Sequence, residues 1–232
     1  MVRRLARAGA LLVVTALLLS VVAVLTLRFV NPWTSAFMVG ARVASWVDDD
    51  PRPWHLQQQW RDYSQISKQL ALAVVASEDQ RFPEHEGFDF RQIQKALDDA
   101  ERGRRARGAS TITQQVAKNL FLWNGRSWVR KGCEAWFTLL IEWLWPKQRI
   151  LEVYLNVAEF GRGIYGAEAA AQAFFRKPAA QLGRPQAARL AAVLPNPIRL
   201  SAANPSRYVQ RRQAQIERQM VALGGTAYLT SL

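Results

Sequence analysis

Residues 77–89, SEDQRFPEHEGFD, form the densest cluster of ionisable side chains in the chain. The apolar run at 70–76 precedes this cluster and predicts a buried helix, because it is apolar on every face. Glu78 would then lie at the C-terminal end of that helix, beside the carboxylate of Asp79. The negative end of a helix dipole and a neighbouring carboxylate both raise a carboxyl pKa toward the range of a general base, whereas nearby cations lower it. A solvated loop with capping carboxylates is the structural alternative.

A second cluster, at residues 107–119, combines hydroxyl, amide and cationic side chains. Thr111 and Gln114 fit a capping box, with Ser110 as the alternative cap, so a helix is predicted to begin here after a glycine. Backbone N–H groups at such a helix start bind phosphate well. Gln114 and Lys118 share one helix face by their spacing, and an opposite, apolar face is predicted to be buried. Taken alone, the cluster also fits an ordinary capped surface helix.

The third cluster lies at residues 130–134, where Arg130 and Lys131 precede Glu134. Ser127 is predicted to cap the helix that carries this cluster. Arg130 and Glu134 are one turn apart, so a simple i,i+4 ion pair is the structural alternative to a functional role. Glu134 would act as a second functional carboxylate only if folding brings it near Glu78.

The elements that position these clusters are predicted to be helical almost throughout. Apolar residues recur with helical spacing, and no run of alternating polar and apolar residues is long enough to predict a strand. Pro51 and Pro53, next to the acidic run 48–50, mark a loop before the main domain. The predicted helices span residues 64–77, 90–102, 111–122, 128–145, 147–160, 167–175, 186–194 and 206–223.

An uncharged segment at residues 8–27 predicts a membrane anchor. As a helix it would be about 30 Å long, which matches the hydrocarbon core of a bilayer. The arginines that precede it predict a cytoplasmic N-terminus, so the rest of the chain would lie outside the inner leaflet. A cleaved signal peptide is the alternative, but no small-residue cleavage site follows the segment. We expect an anchor at residues 1–35 and one domain at 36–232.

The composition restricts the classes of possible ligand but does not identify one. Lys and Arg total 31 against 18 Asp and Glu, a formal net charge of +13. Such a surface attracts a polyanion, an anionic membrane or a phosphorylated substrate. Cys133 is the single cysteine, so no intrachain disulfide is expected, and two histidines argue against a histidine-rich metal site.

Together the three clusters resemble glycosyltransferase family 51, the peptidoglycan glycosyltransferases, and most closely its monofunctional members. Two later stretches of the chain fit the same family, and all five follow the family's order. The resemblance extends over roughly residues 64–205. The matched motifs are E-D-x-x-F-x-x-H-x-G at 78–87, G-x-S-T-I-T-Q-Q followed by K-N at 108–119, R-K-x-x-E at 130–134, and the stretches 150–166 and 194–197.

The resemblance implies a mostly α-helical, lysozyme-like fold with two lobes, behind a single N-terminal transmembrane helix. It implies that the enzyme polymerises lipid II into β-1,4-linked glycan strands, with inversion at the donor sugar and release of undecaprenyl diphosphate. Glu78 matches the family's general base. Glu134 matches its second essential glutamate, which positions cations or a divalent ion near the pyrophosphate. The substrate-binding residues that the motifs imply are Asp79, Phe82, His85, Ser110, Thr111, Gln114, Gln115, Lys118, Asn119, Arg130 and Lys131.

The resemblance also implies the partners: lipid II, the lipid-linked growing glycan, the bacterial inner membrane with the domain in the periplasm, and proteins of cell division or elongation. A pyrophosphate leaving group needs charge stabilisation more than protonation, and Lys118, Arg130 and Lys131 are the candidate cations. No cofactor and no metal-ligating residue set is predicted, while a divalent cation at the pyrophosphate, Mg²⁺ or Mn²⁺, stays open. The chain leaves no space for a transpeptidase domain, so no cross-linking activity is expected.

Three other classes of protein share part of this pattern. A lysozyme-like lytic enzyme also uses two carboxylates, but the anchor and the clustered cations favour a lipid-pyrophosphate substrate. An inactive membrane-tethered scaffold is disfavoured because every motif carboxylate is present. Nucleic-acid binding would explain only the positive charge. Two departures from the family pattern affect neither carboxylate: Ala109 replaces a glycine of the second motif, and Arg176 stands where the family often has glycine.

Overall fold

The computed structural model describes residues 1–47, 54–103, 110–125 and 127–232, and the chain is mostly helical, as predicted. The loop predicted at Pro51 and Pro53 and the start of the second motif, Gly108 and Ala109, lie outside the described residues. The α-helices are α1 (Val2–Phe29), α2 (Ala36–Ala44), α3 (Lys68–Glu78), α4 (Phe90–Glu101), α5 (Ile112–Phe121), α6 (Trp128–Leu144), α7 (Lys147–Val157), α8 (Ala167–Phe175), α9 (Arg184–Val193) and α10 (Arg207–Ala222). Short 3-10 helices span Tyr63–Gln65, Ala179–Gln181 and Gly225–Ser231.

The predicted helices are present, with ends that differ by a few residues. The helix expected from residue 64 begins at Lys68, because the side chain of Ser67 accepts a bond from the Gln69 N–H and caps it. Helix α2 was not predicted, and Ser35 caps it in the same way. The predicted domain boundary between residues 35 and 36 stays a prediction.

A small sheet is the main feature that the sequence did not predict. Its strands are β1 (Gln57–Gln58), β2 (Glu159–Gly161) and β3 (Ile164–Tyr165). They lie in the order β1-β3-β2, with β1 parallel and β2 antiparallel to β3. The expectation that the helix extends to Phe160 is therefore wrong, since α7 ends at Val157 and Phe160 lies in β2. Strands of two or three residues are too short to show the alternation that would reveal them.

Two groups of packed helices carry the residues of the three clusters. Helix α3 is apolar all round, and its residues 70–76 are fully buried against α9 and α10. The alanines of α9 let these helix backbones approach closely. In the second group, α5 packs against α6 and α7. Glu78, at the end of α3, therefore lies where side chains of α5 and α10 can reach it.

Helix α1 is long and apolar enough to cross a membrane, and its first part is exposed. Its C-terminal part packs on α6, where Val24 is fully buried. The indole Nε1 of Trp136 donates to Ser20 Oγ at 3.0 Å, and that of Trp145 donates to the Val24 carbonyl at 2.8 Å. These two bonds fix about 6 Å of the helix axis, from Ser20 to Val24, to the domain.

The C-terminal end of α1 is held by one arginine. Arg149, on α7, donates to the carbonyls of Leu27 and Val30, each at 3.0 Å, and to Asn31 Oδ1 at 2.8 Å. Its guanidinium also pairs with Glu152. Carbonyls at a helix end lack intrahelical partners, so a cation there satisfies them and complements the helix dipole.

Candidate active site

Glu78 is the last residue of α3, as the sequence predicted. Its side chain is 15% exposed. One carboxylate oxygen accepts a bond from Gln115 Nε2 at 3.1 Å, and the other lies 3.7 Å from Arg212 Nη2. Burial raises the pKa of Glu78, while Gln115 and Arg212 act in the opposite direction. The sequence left the net direction of this shift open. The structure shows that the pKa is raised mainly by loss of water, and that the neighbouring Asp79 contributes least.

Asp79 joins the first motif to the start of α5. Its carboxylate oxygens lie 2.9 and 3.0 Å from Nε2 of His85, and Oδ2 also accepts the N–H of Ile112 at 3.0 Å. A carboxylate on a free N–H at a helix start is favourable. Phe82 is fully buried beneath this turn. Asp79, Phe82 and His85 were predicted to bind substrate, but their contacts within the protein favour a positioning role.

The predicted capping box at the start of α5 is confirmed. Thr111 accepts the Gln114 N–H, and Gln114 Oε1 accepts the Thr111 N–H. The Thr111 hydroxyl also donates to the Gly87 carbonyl at 2.6 Å. Both side chains are buried, so for Thr111 and Gln114 too the structure favours a positioning role over the predicted contact with substrate. Ser110 is exposed, and Asn119 is partly exposed.

Lys118 is the cation that connects the two glutamates. It lies on α5 one turn after Gln115, is partly buried, and interacts electrostatically with both Glu78 and Glu134. Burial lowers the pKa of Lys118, with Glu134 acting in the opposite direction. Its Nζ also lies 5.4 Å from the ring centroid of Phe37 in α2. Helix α5 thus carries side chains toward each acid, so the two carboxylates belong to one site.

Glu134 is 3% exposed and is paired with two cations from its own helix, α6. Arg130 Nη1 donates to one carboxylate oxygen at 2.8 Å, and Lys131 Nζ donates to the other. The predicted i,i+4 pair is confirmed. With Lys118 nearby, one carboxylate faces three cations, and the surplus of positive charge suits an anionic ligand such as a pyrophosphate.

A third group of residues, which the sequence did not single out, holds the first motif against α6 and α7. Lys147 Nζ donates to the His85 carbonyl and to Glu142, and it lies 4.6 Å from the ring centroid of Phe82. The hydroxyl of Thr113 donates to the same Glu142 carboxylate. These bonds fix the turn that presents Glu78, and only tertiary packing reveals them.

Two further residues near Glu78 had no predicted role. Arg212 comes from α10, whose exposed face carries a shallow basic groove that includes Arg211 and Arg218. Tyr154 comes from α7, and its hydroxyl lies 3.2 Å from Gln115 Oε1. The arginine-rich composition of α10 and the fourth motif were the available signals, but neither indicates which side chain faces the acid.

The acidic side chains near the cations do not form a metal-binding set. Among the described residues, no group of three or more His, Cys, Asp or Glu is arranged to hold a metal ion. Both oxygens of Glu134 are already engaged by Arg130 and Lys131. This donor set does not fit a resident divalent cation.

Most of the chain is similar in sequence to known proteins. A family model described as Transglycosylase matches residues 51–221. Three similar proteins share one name, biosynthetic peptidoglycan transglycosylase. That of Xanthomonas euvesicatoria is 60% identical over 210 residues, which cover 90% of this chain and 84% of the relative. Those of Chromohalobacter salexigens and Pseudomonas fluorescens are each 58% identical over 92% of this chain. The matched residues make up 91% and 88% of the two relatives, respectively.

Proposed function

Given that this chain belongs to the transglycosylase family, we propose that Glu78 is the general base with which it polymerises lipid II into β-1,4-linked glycan strands. The chain is a peptidoglycan glycosyltransferase of cell-wall synthesis. Undecaprenyl diphosphate is the product released from the donor. The observation that carries the proposed role of Glu78 is its burial at the end of α3, with a raised pKa and one side still open to solvent.

The proposed reaction is a single displacement at the donor sugar. Glu78 removes the proton of the acceptor 4-hydroxyl as that oxygen attacks the anomeric carbon, and the bond to the pyrophosphate breaks with inversion. A carboxylate whose pKa lies nearer the working pH takes up a proton more readily, which is why burial of Glu78 favours this role. Gln115 donates a hydrogen bond to one carboxylate oxygen of Glu78, and the guanidinium of Arg212 lies near the other.

The leaving group is proposed to bind the cations around Glu134. Negative charge develops on the pyrophosphate as the bond breaks, and Lys118, Arg130 and Lys131 supply positive charge that is already in place. Glu134 keeps Arg130 and Lys131 in position, since both bond to it. Its proposed role is therefore to orient cations rather than to transfer a proton. Ser110, Gln115 and Asn119 are proposed to bind the sugars and phosphates.

Helix α1 is proposed to anchor the enzyme in the bacterial inner membrane. Arg3, Arg4 and Arg7 precede its apolar stretch, so the N-terminus is proposed to be cytoplasmic and the domain periplasmic. A lipid-linked substrate diffuses in the same bilayer, which makes an anchored domain an efficient arrangement. Recruitment by proteins of cell division or elongation is part of the same proposal.

Replacing Glu78 with glutamine tests the assignment. Glu78→Gln keeps the size of the side chain but removes the base, so lipid II polymerisation by the purified full-length protein should fall by about 100-fold or more. Glu86→Gln, an exposed change in the same loop, is the control and should polymerise normally. Normal polymerisation by Glu78→Gln would refute the role of Glu78. Release of soluble muropeptides from sacculi, without polymer, would support a lytic enzyme instead.

The same assay with and without EDTA tests whether polymerisation needs a divalent cation. Since no side-chain set among the described residues fits a resident divalent cation, a loss of polymerisation in EDTA would point to an ion carried by the substrate pyrophosphate.

A further inference from the structure

We propose that Tyr154 is a positioning residue that fixes which end of the Gln115 amide faces Glu78. The inference rests on the proposed role of Glu78 as the base. Tyr154 does not touch substrate in this proposal, because its side chain is 1% exposed and lies beneath Gln115. It acts through the amide.

Three side chains form a chain of hydrogen bonds from the interior to the base. The Tyr154 hydroxyl lies 3.2 Å from Gln115 Oε1, and Gln115 Nε2 donates to Glu78 Oε2 at 3.1 Å. They come from three different helices, α7, α5 and α3. A phenylalanine would fill the same buried space as Tyr154, so the hydroxyl adds little packing and its described bond goes to Gln115.

The direction of these bonds follows from the tyrosine. Burial raises the pKa of Tyr154 well above its ordinary value, and the charge of Glu78 acts in the same direction. The phenol therefore keeps its proton and donates it to the amide oxygen. With Oε1 held in this way, the NH₂ group of Gln115 must point at Glu78. Without the hydroxyl the amide is free to turn over when Glu78 is protonated, because its oxygen can then accept the carboxyl O–H. This bond favours the neutral form of Glu78.

Other groups around Glu78 do not depend on this orientation. Arg212 from α10 and Lys118 from α5 attract the charged form, and Asp79 disfavours it. Their effects are present whichever way the amide points. Loss of the Gln115 donor therefore leaves the buried carboxylate with less support and raises its pKa further. Because Glu78 must be unprotonated to act, the acidic limb of the activity profile should move to higher pH.

The test compares Tyr154→Phe with wild type in lipid II polymerisation across pH, using the full-length enzyme. We expect the acidic limb to move to higher pH and kcat near pH 6 to fall by about tenfold, with KM unchanged. Tyr165→Phe is the matched control, since Tyr165 is equally buried and bonds to Glu159 in the sheet. It should lower the Tm by a similar amount and keep the wild-type pH profile.

A double-mutant cycle shows whether Tyr154 acts through the amide. Gln115→Leu should shift the acidic limb in the same direction, and adding Tyr154→Phe to it should cause no further shift. A wild-type profile for Tyr154→Phe, or an equal shift in both backgrounds, would overturn the inference. The inference about Tyr154 can fail while the proposed function stands. Only an active Glu78→Gln enzyme would refute the role of Glu78 as the base, whatever the result for Tyr154→Phe.

Discussion

The Glu78 carboxyl illustrates a conflict between stability and chemistry at a single residue. Burial raises its pKa, so the folded protein binds this proton more tightly than the unfolded chain does. The contribution of Glu78 to stability is therefore best at low pH, and it is lost as the pH rises from the ordinary glutamate pKa through the raised one. At neutral pH and above, folding holds a carboxylate in an unfavourable place.

Glu78→Gln should therefore be more stable than wild type at pH 8, by about 1 kcal/mol or more. The difference should shrink as the pH falls from the raised pKa of Glu78 to the ordinary glutamate range, below which both side chains are neutral. Thermal unfolding of the two proteins from pH 4 to pH 8 measures it. Glu86→Gln, which is exposed, should show no such trend. A Glu78→Gln protein that is less stable at pH 8 would mean that Gln115 and Arg212 outweigh burial.

Arg212 is expected to extend polymerisation activity to lower pH. Its guanidinium favours the charged form of Glu78, so Arg212→Met should raise the pKa of Glu78 and move the acidic limb of polymerisation to higher pH. We expect a loss of about two- to fivefold at pH 6, the size typical of a partly exposed ion pair, and a smaller loss at pH 8. Arg211→Met, on the exposed side of the same helix, is the control. Equal losses at both pH values would exclude an effect through Glu78.

Among the elements, α5 connects most parts of the site. Its N-terminus is held by its own cap at Thr111, by Asp79 from the end of α3, and by the bond to the Gly87 carbonyl. One turn later it directs Gln115 to one glutamate and Lys118 toward the other. The relative position of the two acids therefore depends on how the loop between α3 and α4 meets α5.

Gly87 lies in that loop and packs closely on α6. Its φ is +83°, and an added Cβ would lie 2.8 Å from Thr138 Cγ2 and 2.9 Å from Glu142 Cγ. Gly87→Ala should destabilise the protein by about 2–4 kcal/mol, because backbone strain and overpacking add. Gly103→Ala separates the two causes, since Gly103 has a φ of +67° but open space around it, and should cost about 1–2 kcal/mol. Chemical unfolding measures both, and equal effects would show that the packing at Gly87 is loose.

The sequence predicted the parts of this site that depend on neighbours along the chain. The cap at Thr111 and the pair between Arg130 and Glu134 follow from spacings of three and four residues. The contacts of Arg212 and Tyr154 with the site cross 134 and 39 residues of chain, respectively, and no local pattern encodes them. The short sheet was missed for the same reason, because β1 pairs with β3 across more than 100 residues.

At Arg176 the departure from the family pattern places a residue with a side chain in an unfavourable backbone conformation. It ends α8 with a φ of 54°, the left-handed conformation in which glycine carries no steric penalty. Arginine there is tolerated because the end of α8 is exposed and the helix is otherwise well packed. The position lies outside the candidate site, in agreement with the expectation that it affects neither carboxylate.

At the scale of the whole molecule, the C-terminal part of α1 is packed together with α6 and α7. Arg149→Met keeps the aliphatic part of the side chain but removes the bonds to the Leu27 and Val30 carbonyls. We expect a loss of about 1–3 kcal/mol of stability and faster amide hydrogen exchange in residues 20–31, with α10 unchanged as the internal control. Unchanged exchange at the end of α1 would show that Trp136 and Trp145 hold the helix without Arg149.

The packing of α1 on the domain has a geometric consequence for the glycan product. With α1 in the bilayer, as proposed, its bonds to α6 and α7 tie the domain to the helix, so the depth of Glu78 relative to the lipid headgroups follows the depth and tilt of α1. An enzyme held at one height cannot travel outward along a lengthening polymer. On that proposal the lengthening strand moves while the site keeps its height above the lipid.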